Sequence, residues 1–526
     1  MKKDGKIVDV ISYNTIFISP DLKRCIHYEF ESENADPETN ILYGNWVING
    51  VKRERRERYS HLPIFSKDGK HVSYGVIVTG KVILANSDSY PIKLYQMIVD
   101  EKAYGPYNGI MDSFVFSPDN KNWAFVAQND KTASISASLQ DLFIPKDGGP
   151  IPFNNITIKG SPTSQFVVYN GVSQKEYFVI MDKLIFSMKG NRFGYIGAIV
   201  NQEKEYLVQI RREGIFWDDS TRKQFEEGWK MVAVVDGIEG KQYDSIQFLN
   251  FSPDEKNYAY IARLGEQFYL VVNGEETKSP YIPTHLSFTP EGQLYYFQHD
   301  KKNKKWRVFI NGNPEKWYEG LSDIGILFSN DGNHYAYVAN LGNKRCIIFD
   351  GKEMERHDSI ADKTLILNPN GEGFSYAAIE NDKWYLITEG KKHKRYDSIK
   401  KIIYSPDGKK IAYIAVEGQY YLVVVDGKVY NRFVMHNQEG IPFLLQFNPD
   451  GSHISYLIAF RNKDRQNQLT FIVYIDKIPC NISCNILLPP HGKFIWSTNN
   501  CFQYIMNKVI DDDIIVYRVE ESVENI

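Results

Sequence analysis

The stretch Tyr404-Ser405-Pro406-Asp407-Gly408, followed by Ala412-Tyr413-Ile414-Ala415 and then Val423-Val424-Val425-Asp426-Gly427, reads as short strands separated by tight turns. In the first turn the proline presets φ, the aspartate closes the loop with its own side chain, and the glycine takes the left-handed conformation. The apolar run after it alternates, so that small and aromatic residues share a packed strand. The second turn is Asp-Gly, one of the strongest short hairpin signals.

The module recurs along the chain. Its first turn returns, with decay, at Ser19, Ser66, Ser117, Ser187, Ser252, Thr289, Ser329, Asn368, Ser405 and Asn448, and a degenerate eleventh copy falls near Ser497. The second turn returns as Asn49-Gly50, Asn170-Gly171, Asp236-Gly237, Asn273-Gly274, Asn311-Gly312 and Asp350-Gly351. A further element, Tyr243-Asp244-Ser245-Ile246, His357-Asp358-Ser359-Ile360 and Tyr396-Asp397-Ser398-Ile399, is read as the fourth strand. From Ser252 onward the copies lie 37 to 49 residues apart, the period of a four-stranded propeller blade. Helical periodicity is nearly absent. The expectation is an all-β fold of tandem β-propellers, with about eleven antiparallel four-stranded repeats.

These residues also carry a family resemblance. A Phe-Ser-Pro-Asp-Gly-Lys turn followed by Ala-Tyr or Ala-Phe resembles the PD40, or TolB-type, WD40-like propeller repeat, over roughly residues 12–517. The recurring units lack the Trp-Asp and Gly-His dipeptides of eukaryotic-style WD40 repeats; the one Trp-Asp, Trp217-Asp218, falls in an insertion. The resemblance implies a protein-interaction platform or a cap on a peptidase, and fold alone selects neither.

Propellers usually have about four to eight blades, so eleven repeats suggest two rings. The expected division is an N-terminal propeller over residues 1–246 and a C-terminal propeller of six to seven blades over 247–526, with about 284 as the alternative boundary. Apolar strands at Ile7-Val8-Asp9-Val10-Ile11 and Ile514-Ile515-Val516-Tyr517 stand near the two ends of the chain. Either could complete a blade begun at the other end of its ring and cover a sheet edge.

Two insertions break the period. Residues 128–165 are rich in Ser, Pro, Gly and Asn, and residues 201–230 contain the only stretch that reads as a plausible helix, REGIFWDDSTRKQFEEGWK. Long loops on a rigid scaffold tend to carry function. Phe216, Trp217, Phe225 and Trp229 are therefore the candidate partner-binding residues; the plainer reading is a decorated hairpin tip or a covered edge.

Composition sets outer limits. Hydrophobic residues make up 43% and charged residues 24% of 526, and the 14% aromatic share, with 35 Tyr and 30 Phe, favours strands. A net charge of −3 gives no global pull toward nucleic acid or acidic membranes. No apolar leader opens the chain and no run of about 18 apolar residues occurs, so neither a signal peptide nor a membrane span is expected. Five cysteines, odd in number and mostly isolated, suit a reducing compartment. The expected address is the cytoplasm.

Catalytic signatures are missing: no nucleophile elbow, no zinc-protease helix, no phosphate loop and no dinucleotide fingerprint. His71, His334 and His453 each lie three residues after a turn aspartate, Asp68, Asp331 and Asp450. That shared repeat position argues for a structural role. Cys480 and Cys484, with His491 and Cys501 downstream, lack the close pairing of a structural zinc site and read as thiols. No Asp-x-Asp-x-Asp calcium loop occurs. No metal and no cofactor are expected. The basic runs Lys52–Arg58, Lys301–Lys305 and Lys391–Arg395 read as solvated hairpin connections, because nucleic-acid binding would need them gathered on one face.

The expectation is a non-enzymatic scaffold that binds a protein partner. One alternative is a propeller hydrolase or lyase, its residues converging on a central channel. Another is a glycan or ligand sensor with an aromatic-lined pocket.

Overall fold

The computed structural model describes residues 6–522 except 12–16, 22, 36–41, 50, 54–57, 84–88, 131–153, 160–162, 200–204, 212–213, 218–228, 435–440, 463–467, 480–494, 499–500 and 511–512. Among the described residues there are eleven antiparallel sheets of four or five strands, one smaller sheet of three, and a single short 3-10 turn at Asp362–Thr364. Ten of the recurring turns, Ser19 to Asn448, join two successive strands at the start of one sheet, and Ser497 lies in the strand Ile495–Thr498 that opens the eleventh; each sheet takes the name of that residue.

The Ser405 sheet displays the plan. Its strands are Ser398–Tyr404, Ile411–Glu417, Tyr420–Val425 and Lys428–Val434, paired in chain order. The Ser405 hydroxyl donates to Asp407 at 2.6 Å, and the Lys410 N–H donates to the same hydroxyl at 2.9 Å. Gly408, at φ 71°, closes the turn by donating to the Ser405 carbonyl at 2.9 Å. The Asp426 carboxylate of the second turn accepts the Ile411 N–H at 2.9 Å, which ties both turns together at one end of the sheet. His71, His334 and His453 serve that same tie: their Nδ1 atoms lie 2.6, 2.7 and 2.7 Å from Asp100, Asp350 and Asp476 of the second turns.

Consecutive sheets pack face to face through aromatic residues. The second strands bury Tyr260, Tyr337, Tyr376, Tyr413 and Tyr456 almost completely. Four of these rings meet the last residue of the preceding sheet's outer strand or its continuation: Tyr243, Tyr318, His357 and Tyr396. The Tyr396 and Tyr413 hydroxyls are 3.0 Å apart, and His357 Nε2 lies 2.9 Å from the Tyr376 hydroxyl. Burial pushes the Tyr260 and Tyr318 phenols up to about 12. Each such ring contributes roughly 1.5–3 kcal/mol of apolar burial.

The Tyr-Asp-Ser-Ile element is not a fourth strand, as the sequence suggests, but a crossing between sheets. Tyr243 ends one sheet's outer strand, Ile238–Tyr243, and Ser245 begins the next sheet's first strand, Ser245–Phe251. Asp244 between them accepts the Gly265 N–H of the new sheet's hairpin at 2.6 Å and pairs with Lys230 of the old sheet at 2.5 Å. Asp397 repeats the arrangement with Gly418 at 2.7 Å and Lys383 at 2.6 Å. An element that reads as one strand is cut in two because its aspartate holds both sheets.

The chain ends meet. Lys6–Ile11 pairs with Asp513–Ser522, with Ile7 opposite Tyr517 and Ile11 opposite Ile514, and completes the Ser497 sheet. Across the expected 246/247 boundary, Ile196, Val235 and Tyr243 share a core cluster with Ile246, Leu249 and Tyr260.

Candidate functional site: the joined insertions

Both insertions leave from hairpins between second and third strands, at the sheet end opposite the two turns. The first separates Trp123–Asp130 from Thr163–Tyr169 in the Ser117 sheet. The second separates Phe193–Ile199 from Lys230–Val235 in the adjacent Ser187 sheet. The two then combine. Asn154–Lys159 of the first insertion pairs antiparallel with Glu205–Arg211 of the second, which pairs in turn with Gly214–Trp217. The result is the three-stranded sheet that belongs to no blade.

The expected helix is therefore not found at its start: Gly214–Trp217 is a strand, with Phe216 opposite Gln209 and Trp217 opposite Val208. Ile215, Phe216 and Trp217 are strand-favouring types, and a hairpin partner lies just upstream. Phe225 falls outside the described residues, as do Cys480, Cys484 and His491.

Trp229 stands at the base of the second insertion and is half-buried. Its ring lies 5.1 Å from Phe178, tilted by 57°. Phe178 occupies the crossing position that Asp244, Asp358 and Asp397 hold elsewhere. Its backbone makes the same bond, Phe178 N–H to the Ala198 carbonyl at 2.9 Å, that Asp244 makes to Arg263 at 2.8 Å. Here, beside an insertion, a ring stands where an acid stands beside the tight hairpins. The signal was in the sequence: Tyr177-Phe178-Val179-Ile180 departs from Tyr-Asp-Ser-Ile at both of its polar middle positions.

A second feature lies on the first strands, which border the axis of a propeller. Bulges interrupt the pairing of these strands in the Ser252, Thr289 and Asn448 sheets. Phe248, His285 and Leu444 sit there with φ of 58°, 53° and 52°, a conformation costly for such side chains. Phe248 and Leu444 are nonetheless exposed, and His285 is stacked between Phe248 at 5.8 Å and Phe297 at 5.0 Å. Among the described residues no group of three or more His, Cys, Asp or Glu is placed to hold a metal ion. No described helix is long and apolar enough to cross a membrane.

Turn-linked four-stranded sheets, packed in sequence, define a β-propeller fold, and the turn residues resemble the PD40/TolB-type, WD40-like repeat. Among solved structures the chain is similar to a eukaryotic initiation factor (10% identity, covering 77% of this chain and 94% of that one, TM-score 0.36). It is also similar to the Dos1 propeller (12%, 64% and 90%, 0.27) and to TolB from Acinetobacter baumannii (15%, 58% and 80%, 0.23). No family model matches the sequence, and no curated protein does.

Proposed function

We propose that this chain is a non-enzymatic propeller scaffold, acting in the cytoplasm, whose protein partner docks on the sheet built jointly by the two insertions. The observation that carries the reading is the pairing of Asn154–Lys159 with Glu205–Arg211: two long loops from adjacent blades build one additional sheet. Asn154–Lys159 and Gly214–Trp217 are its outer strands among the described residues. An edge strand offers backbone donors and acceptors to an added strand. Phe216 and Trp217 lie in one of them, and large aromatics are the side chains that most often anchor interfaces.

The test is affinity capture with cross-linking from the native source, comparing the intact chain with one lacking residues 213–229 and with the Phe216→Ala/Trp217→Ala double variant. Loss of one reproducible partner in both variants is the expected result. Retention of every partner by the deletion sinks the reading. The division into rings at 1–246 and 247–526 belongs to the same proposal; limited proteolysis should leave two stable fragments split near residue 247, and a single resistant core counts against it.

A ligand-sensing reading draws on Phe248, His285 and Leu444, exposed in strained backbone on the first strands. Carbohydrate or aromatic ligands that protect these strands from hydrogen exchange would favour it over the scaffold.

A further inference from the structure

The hairpin between the second and third strands of the Thr289 sheet departs from its neighbours. In four other sheets the hairpin N–H is capped by the acid that crosses from the preceding sheet. Gly265 is capped by Asp244 at 2.6 Å, Gly342 by Glu319 at 2.8 Å, Asn381 by Asp358 at 3.0 Å and Gly418 by Asp397 at 2.7 Å. The crossing residue before the Thr289 sheet is Pro280, which has no carboxylate to offer. This hairpin caps itself instead. Asp300 accepts the Lys302 N–H at 3.0 Å, the Asn303 N–H at 3.1 Å and the Asn303 side-chain amide at 2.7 Å. The tip's own acid is thereby consumed.

Its lysines differ too. In three sheets the third strand opens on a lysine that pairs with the next crossing acid: Lys230 with Asp244, Lys344 with Asp358 and Lys383 with Asp397. Lys305 holds the same position without such a pair, and Lys301, Lys302 and Lys304 have none either; all four are exposed. In the other basic runs, among the described residues, Lys392 bonds Glu380, Lys394 bonds Glu417 and Arg53 bonds Glu101.

The tip stands on a firm base. His299 and Trp306, directly opposite each other, stack at 4.1 Å and 11°. Arg307 lies 4.3 Å from the Trp317 ring centroid and 5.3 Å from that of Tyr281. These rings turn faces to one another and to Arg307, so they brace the hairpin more than they offer bare stacking surface.

We propose that the Lys301–Lys305 hairpin is a docking surface for an acidic segment of a partner polypeptide. Four unpaired cations within five residues, on a chain of net charge −3, gather positive potential at one rigid tip. A row of carboxylates complements it without breaking any existing ion pair. This surface is separate from the insertion sheet and stands or falls without it.

The test uses the full chain and a fluorescein-labelled dodecaglutamate peptide, read by anisotropy at about 50 and 150 mM salt. The variant Lys301→Gln/Lys302→Gln/Lys304→Gln/Lys305→Gln should bind about tenfold more weakly and with a flatter salt dependence. A charge-matched control, Lys391→Gln/Lys392→Gln/Lys394→Gln/Arg395→Gln, should bind as the unaltered chain does. Equal weakening in both variants overturns the proposal, because long-range charge alone would then explain binding. Tighter binding of oligothymidylate than of the peptide also overturns it, since the occupant would be a nucleic acid.

Discussion

The Ser405 and Ser187 sheets solve one problem in two ways. Both receive the chain from a preceding sheet and must fix the crossing against a second-to-third-strand connection. In the Ser405 sheet that connection is a tight hairpin, and Asp397 caps its Gly418 N–H while pairing back to Lys383. In the Ser187 sheet the connection carries an insertion, and Phe178 at the equivalent place packs against Trp229. Polar closure suits a turn with a free N–H, and apolar closure suits a longer excursion with a ring at its root. In these two sheets the crossing residue matches the connection beside it: an acid beside a bare hairpin and a ring beside an insertion.

The comparison rests first on the two sheets being blades of one kind, held by the same stacking of rings. Tyr413 is fully buried between two sheets and within 3.0 Å of the Tyr396 hydroxyl. Tyr413→Ala should destabilise the chain by about 3–5 kcal/mol, read as a lowered urea midpoint. A loss under about 1 kcal/mol would break the idea that these rings hold neighbouring blades together.

Exchanging the two closures is the sharper experiment. Phe178→Asp places a carboxylate beside the insertion and removes the ring that packs on Trp229. The expected cost is about 1–3 kcal/mol, with a red shift of tryptophan emission. If the substitution is neutral and emission stays put, Phe178 does not close the insertion.

A smaller effect separates owned from borrowed acids. The Ser405 turn holds its own Asp407, whereas the Ser187 turn has Lys189 at that place and takes Glu255 from the next sheet. Glu255 accepts the Ser187 hydroxyl at 2.5 Å, the Lys189 N–H at 2.8 Å and the Asn191 amide at 2.7 Å. Glu255→Gln should cost about 1 kcal/mol and loosen amide protection at residues 187–192 as well as at its own turn. Protection lost only at residues 252–257 would show that the borrowed acid does not hold the Ser187 turn.

Much of this was legible in the residues, and what was not has physical reasons. The turns at Ser19 through Asn448 all lead from an opening strand of a sheet into the next, because Pro-Asp-Gly chemistry is local and survives decay. The Tyr-Asp-Ser-Ile element was misread as one strand, since alternation cannot reveal that a chain changes sheets at its aspartate. The pairing of Asn154–Lys159 with Glu205–Arg211 was hidden for a similar reason: two strands some fifty residues apart in the chain leave no mark on each other's periodicity. Trp229 was chosen for its type, but the telling residue was its neighbour Phe178, visible only when the repeats are laid over one another.

The weakest test concerns the turn aspartates that both kinds of sheet share. The Ser329 hydroxyl, then the Asn333 side chain and backbone N–H, hold Asp331 down to about 2 from an ordinary 3.8. Asp68, Asp119, Asp254, Asp407 and Asp450 are lowered as well, in each case with a serine hydroxyl bond as the largest cause. A carboxyl whose folded value lies below its unfolded one stabilises the fold above the unfolded value, and the contribution fades as pH falls through the folded one. Stability should therefore drop between pH 3.8 and about 2, and Asp331→Asn should flatten that drop slightly while lowering the midpoint at neutral pH. Asp254, Asp331, Asp407 and Asp450 are exposed and Asp68 and Asp119 half-buried, so each effect is small and salt-sensitive. An acid limb that Asp331→Asn leaves untouched, followed by circular dichroism, would mean that these serine-aspartate bonds set the turn's shape without adding to its stability.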